Sequence, residues 1–258
     1  MADYIDWKVK FAEKEFRGKE KRTKDAAIEL AYADMSRRQR GHTPAMKEEC
    51  IKYLEGVFEK SSEMDNFNKW HKYQCDALIR IWNHHKDGFG TIGKAQKVLN
   101  MAFKYLSCIT TDYDHLLPCC HMTLDSYTLD WYKRVVMPWV KDNKNRDQKD
   151  VKSLCEWSKI QNYDNYYMLI QDNIKEFLEN ATYSVKIGNN ETNPIHLPKE
   201  RIYAEFVIWE GEKIQKRYAN LIEDMDSYLN DNRHSDSWLI GTLFDKYLDG
   251  FYDRFKKL

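Results

Sequence analysis

Glycine and proline are scarce, ten and five in 258 residues. That scarcity argues against a Pro/Gly-rich disordered chain and against a fold built from many tight turns. Net charge is missing as well, because 41 Lys and Arg balance 41 Asp and Glu. No bulk field therefore favours a nucleic acid, a membrane or an acidic substrate. The mean hydropathy is −0.78, and no run of about 18 apolar residues occurs, so no transmembrane helix is expected. The opening stretch MADYIDWKVKFAEKE lacks the apolar segment of a secretory signal, and a cytoplasmic location is expected. Cysteines at Cys50, Cys75, Cys108, Cys119, Cys120 and Cys155 have neither the density nor the spacing of a disulfide scaffold, so reduced thiols are expected. Also absent are the Gly-x-Ser-x-Gly, Walker A and zincin patterns, which leaves a serine hydrolase, a P-loop NTPase or a zinc protease without local support.

What is present is apolar and aromatic material, 42% and 14% of the chain, enough for a real core. Charge is unevenly divided: residues 161–258 hold 12 basic and 17 acidic side chains, and residues 1–160 hold 29 and 24. A polyanion would prefer the first part. Apolar spacing of three and four predicts a mostly α protein, with helices near 5–17, 24–38, 46–59, 65–84, 94–106, 163–179, 199–228 and 236–256. Another is expected from Thr123 toward Pro138, where proline should end or kink it. Lys94, Lys97, Met101 and Lys104 fall opposite the apolar stripe of the 94–106 helix. Alternation across Thr182 to Leu197 predicts a small β-hairpin, and the polar stretch 141–153 predicts a loop. The whole chain, 1–258, reads as one helical domain of one or two lobes.

The most informative segment is 77–136. A helix ending near His84-His85 runs into Lys86-Asp87-Gly88-Phe89-Gly90-Thr91-Ile92-Gly93, and the Lys94 helix follows directly. Three glycines at this spacing permit a tight turn that exposes N–H groups at a helix N-terminus, where phosphate is favoured. A dinucleotide fingerprint would need a strand before the glycines, and a helix is expected there. Further on, Asp125 stands in His121-Met122-Thr123-Leu124-Asp125-Ser126-Tyr127-Thr128-Leu129, where it can stabilise the first turn of a helix.

Helix, glycine hairpin, helix with an edge lysine, loop, and helix-opening aspartate together resemble the helix-hairpin-helix DNA glycosylases, and most of all their 8-oxoguanine-type branch. A more distant similarity is to bacterial anti-phage glycosylases that excise glucosylated hydroxymethylcytosine. The resemblance covers about 55 of the 258 residues. It implies a helix-hairpin-helix bundle, a double-stranded DNA partner, damaged or phage-modified, and no cofactor or metal. Carried onto this chain, Gly88, Gly90 and Gly93 would form the phosphate-gripping hairpin and Lys94 would serve the phosphate. Lys97 would be the lysine that attacks the sugar, and Asp125 the carboxylate required for base loss. Two departures stand out: the hairpin lacks the usual Leu-Pro-Gly-Val-Gly wording, and Leu124-Asp125-Ser126 stands where Val-Asp is common.

The residue chemistry is compatible with those roles. Breaking an N-glycosidic bond develops positive charge on the sugar, which a fixed carboxylate stabilises. An attacking lysine must be neutral, which desolvation or a neighbouring cation promotes, and Lys94 and Lys104 flank Lys97. Extruded bases stack on aromatics, for which Trp70, Tyr73, Trp82, Trp131, Trp139, Trp157, Tyr163, Tyr166, Tyr167, Trp209 and Trp238 are all candidates. Glu205, Glu210 and Glu212 read as an exposed acidic helix face. Two other readings stay open: a non-enzymatic helical interaction module in which Asp125 only caps a helix, and a metal-dependent hydrolase using His71, His84, His85 or the Cys119–His121 run.

Overall fold

The computed structural model describes residues 3–16, 22–37, 39–59, 66–144, 156–184, 186–187, 190–191 and 194–230. The architecture is mostly helical. Helices α1 (Asp3–Glu15), α2 (Lys24–Ser36), α3 (Pro44–Glu59), α4 (Phe67–His85) and α5 (Ile92–Ser107) come first. Next are α6 (Ser126–Trp131), a π-turn over Tyr132–Val136, and α7 (Met137–Lys144). After a 3-10 turn at Trp157–Lys159, the short α8 (Tyr163–Tyr166) passes through a second π-turn, Tyr167–Gln171, into α9 (Asp172–Asn180), and α10 spans Arg201–Asn230. Strands β1 (Lys186–Ile187) and β2 (Asn190–Glu191) pair antiparallel, and Tyr183 bridges Ile195 beyond them. The expected helix at 236–256 lies outside the described residues.

Side-chain caps set several helix starts. Thr23, Asn66 and Thr91 each accept a hydrogen bond from the backbone N–H three residues on, at 3.0–3.2 Å, supplying partners that a helix N-terminus otherwise lacks. The 123–138 expectation needs correcting at its start, and of the two outcomes expected at Pro138, an end or a kink, the first does not occur. The helix begins at Ser126 with Asp125 as its N-cap, and Pro138 does not end it. The π-turn absorbs the proline: Met137 N–H bonds back to the Tyr132 carbonyl, five residues earlier, just before Pro138 removes a donor from the ladder. Lys141 to Lys144, expected in a loop, are the last turn of α7.

The centre of the molecule is α5, which packs on α2, α4 and the Trp157 turn. Val98, Leu99, Ala102, Phe103 and Leu106 are fully buried, as the apolar stripe predicts. The opposite face is not solvated, however: Gln96, Asn100 and Lys104 are also buried, at 0%, 1% and 2% exposure. Asn100 donates to Gln96 Oε1 at 3.0 Å and to the Tyr166 hydroxyl at 2.9 Å, and its Oδ1 lies 3.0 Å from His71 Nε2. His71 Nδ1 meets the Tyr163 hydroxyl at 2.8 Å, and His121 lies between Tyr166 and Asn68. The two imidazoles sit 4.6 Å apart, centre to centre.

Desolvation pushes His71 down to about 3 and drives His121 well below its ordinary value, with Arg201 reinforcing both shifts. Both rings are therefore neutral in the fold. The unfolded chain, titrating near 6.5, takes up more protons as pH falls, so this contribution to stability is complete above pH 6.5 and is lost below it. The slope is about 1.4 kcal/mol per pH unit for each ring. Urea unfolding should show a loss on the order of 4 kcal/mol between pH 7 and pH 5; a flat profile would contradict two neutral buried histidines.

Gly93 shows why that position has no side chain. A Cβ there would lie 1.8 Å from the carbonyl oxygen of Trp157, which belongs to backbone and cannot swing aside. Gly56 in α3 has nothing within 4 Å of its Cβ position. Gly56→Ala should therefore raise stability by about 0.5–1 kcal/mol through helix propensity. Gly93→Ala should lower the melting temperature by several degrees. Equal effects of the two changes in thermal unfolding would remove this account of α5 docking.

Candidate functional site

Lys97 and Asp125, 28 positions apart in sequence, line one cavity of about 750 Å³. Lys97 arrives on the second turn of α5 and Asp125 at the mouth of α6. The route to Asp125 is the segment Cys120–Leu124, which is wholly buried without helix or strand. Buried backbone of this kind needs a partner for each polar group. Gln171 accepts from Met122 N–H and donates to its carbonyl, at 3.0 and 2.8 Å. Gln96 treats Leu124 in the same way, at 3.2 and 2.9 Å. Arg201 donates to the carbonyls of Cys119 and Cys120, and Glu205 accepts from Thr123 N–H at 2.7 Å.

Asp125 is then fixed from two sides. Its Oδ1 accepts from the N–H groups of Tyr127 and Thr128, at 2.9 and 3.1 Å, while the Thr128 hydroxyl accepts from Asp125 N–H. This is a reciprocal capping box. Its Oδ2 accepts from the indole N–H of Trp209 at 3.2 Å. Trp209 packs edge-on to Tyr127, with ring centres 5.5 Å apart, and carries the ammonium groups of Lys14 and Lys213 over its ring.

Lys97 Nζ lies 4.5 Å over the ring of Trp157. Burial is the largest influence on it and lowers its pKa below 10.5; the carboxylates of Asp125, Asp34 and Glu205 pull it back up, and Arg37 adds a smaller lowering. At the cavity floor Lys104 and Glu205 form an ion pair of 2.8 Å, both side chains only 2% exposed. The ammonium of Lys104 also sits 4.5 and 4.6 Å over Phe11 and Phe206. Lys104 is thus not on a solvated face. Nor is the α10 acidic face simply exposed: Glu205 and Glu212 are buried, and Glu212 pairs with Arg134 and with the Tyr183 hydroxyl.

The hairpin residues stand elsewhere. Lys86 to Phe89 close a turn in which Gly88 takes φ +68 and stays exposed. Gly90 and Gly93 are buried. Their N–H groups donate to Asn83 Oδ1 at 2.7 Å and to the Ile160 carbonyl at 3.0 Å. The amides expected to grip phosphate are thus engaged within the protein at both positions. These two glycines instead let backbone pass close, since a Cβ on Gly90 would lie 2.8 Å from the Ile79 carbonyl oxygen. Lys94 turns its Nζ back onto the Phe89 carbonyl at 2.7 Å and over the Phe89 ring, and it does not line the cavity.

Of the aromatic candidates, Trp157 and Trp209 line the cavity, while Trp82 and Trp131 are fully buried core. Phe11, Tyr105 and Tyr127 line it too and had no distinguishing sequence signal. The residues of the metal-hydrolase reading are dispersed. His71 and His121 are locked in the buried network, Cys119 is exposed and Cys120 buried, and His84 and His85 stand at the surface beside Glu49. Comparison with protein-family models, curated proteins and solved structures gives no match.

The opposed influences on Lys97 can be separated. After reductive ¹³C-methylation, its NMR titration midpoint should lie below those of surface lysines. In Asp125→Asn, which deletes a carboxylate favouring the ammonium, the midpoint should move lower still. A Lys97 signal that titrates with the surface lysines in both proteins would show that the amine is neither desolvated nor coupled to Asp125.

Proposed function

We propose that the chain is a DNA glycosylase of helix-hairpin-helix type that takes a damaged or phage-modified base into this cavity and breaks its bond to the sugar. The observation that carries the reading is the convergence of a desolvated lysine and an oriented carboxylate on one aromatic-walled cavity. Trp157 and Trp209 offer faces on which an extruded base can stack. Burial raises the neutral fraction of Lys97, as nucleophilic attack requires.

In this reading the lone pair of Lys97 Nζ forms a bond to the anomeric carbon as the bond to the base nitrogen breaks. The departing base takes that bond's electron pair and acquires a proton from solvent, and the nitrogen of Lys97 sheds one. Asp125 stabilises the positive charge that builds on the sugar. Opening of the sugar ring then leaves an imine between sugar and lysine. Because the Gly90 and Gly93 amides are already paired, DNA contact falls to the exposed Gly88 end of the hairpin and to the cationic groups at the cavity, Lys14 and Arg37. Neither a membrane nor a cofactor enters the scheme; no helix among the described residues is long and apolar enough to cross a membrane.

One observation favours a second reading, a non-enzymatic helical module: both carboxylate oxygens of Asp125 have structural partners. A single assay separates the two. Incubation with a panel of damaged and phage-modified duplexes, with mass spectrometry of released bases, should detect one base class. Asp125→Asn should reduce its release by about a hundredfold or more, and borohydride should trap wild type but not Lys97→Ala on the DNA. If no duplex loses a base, the interaction module stands in its place.

A further inference from the structure

We propose that Glu49, His84 and His85 form a binding site for a divalent transition metal of the zinc class, joining α3 to the end of α4. This inference is independent of the glycosylase reading. One ligand atom from each of the three residues can be chosen so that all lie within 4.8 Å of one another.

The spacing suits a shared ion. Two imidazoles bound to one tetrahedral metal at about 2.1 Å place their ring centres roughly 5 Å apart; the rings of His84 and His85 are 5.4 Å apart, at an interplanar angle of 74°. Glu49 Oε2 already meets His85 Nε2 at 2.7 Å. Ligand atoms around such an ion stand about 3.4 Å apart, so this contact must open by several tenths of an ångström. The Glu49 side chain is half exposed and can make that movement cheaply, while the His85 ring is more covered.

Two histidines in the last turn of a 19-residue helix also lie at its negative end, where a cation is favoured. Lys86, the next residue, lays its ammonium against Gly41. Two imidazole nitrogens and one carboxylate oxygen select zinc, nickel or copper over magnesium or calcium. Three protein ligands leave a coordination position for water. The bound ion would clamp α3 to the point where α4 turns into the Lys86–Phe89 loop.

The test uses the full-length chain without a histidine tag, stripped with chelator and titrated with zinc by calorimetry. One saturable equivalent is expected, unaffected by millimolar magnesium, with a melting temperature that rises on addition of zinc. His84→Ala, His85→Ala and Glu49→Gln should each weaken binding at least tenfold, whereas Cys119→Ser should not change it. All four substitutions are at exposed positions, and circular dichroism checks that each variant is folded. The proposal is overturned by an absence of saturable binding. It is equally overturned if affinity is retained in His84→Ala and His85→Ala, or lost in Cys119→Ser.

Discussion

A loop buried in the interior governs this structure. Residues 120–124 run through the core with no ladder of their own, and each unpaired backbone group there would cost about 1–3 kcal/mol. The protein meets that demand with side chains from three separate places: Gln96 on α5, Gln171 at the end of a π-turn, and Arg201 and Glu205 on α10. Held by side chains at Cys120, Met122, Thr123 and Leu124, the segment has little freedom to slide, and Asp125 at its end inherits a fixed position. Polar groups inside a core are high-stakes in this way: fully satisfied they specify one arrangement, and partly satisfied they destabilise it.

The buried Lys104–Glu205 pair belongs to the same arrangement. Removing two charges from water costs several kcal/mol each, and their mutual attraction recovers this only with good geometry and further hydrogen bonds. Here Glu205 bonds Lys104 with one oxygen and Thr123 N–H with the other, while aromatic faces of Phe11 and Phe206 cover the ammonium. Burial raises the pKa of Glu205, and Lys104 opposes that rise. An apolar pair of similar volume could pack in the same space, but it would orphan Thr123 N–H. The ion pair is therefore tied to the route of the buried loop as well as to packing.

Much of this was legible in the sequence, and the limits have physical causes. Among the described residues, helical spacing located the long helices because apolar periodicity reports burial directly, and the approach of positions 97 and 125 to one cavity agrees with the order of elements around them. The reading of α5 as two-faced was misleading. Gln96, Asn100 and Lys104 sit where an amphipathic helix meets solvent, yet a polar side chain facing buried backbone cannot be told from one facing water by residue type. The same ambiguity hid Glu205 and Glu212 on α10. At the hairpin the glycine spacing was read as an anion cradle, whereas Gly90 and Gly93 answer to close backbone contact at Ile79 and Trp157. Both demands select glycine, and only the path of the rest of the chain tells them apart.

The adjacency of Gln96 and Lys97 links these levels. Neighbouring side chains on a helix point about 100° apart, so one turn of α5 can serve two directions at once. Gln96 reaches the backbone of Leu124 and fixes the chain immediately before Asp125; Lys97 faces the cavity that Asp125 lines. A rotation of α5 that shifted the amine would also pull Gln96 from its two bonds to Leu124. Docking resists such a rotation, because Gly93 seats the start of the helix against Trp157, and Trp157 is the aromatic face beneath Lys97. Amine, carboxylate and aromatic wall are thus held by one helix start, and the geometry of the cavity follows from the packing that buries the loop.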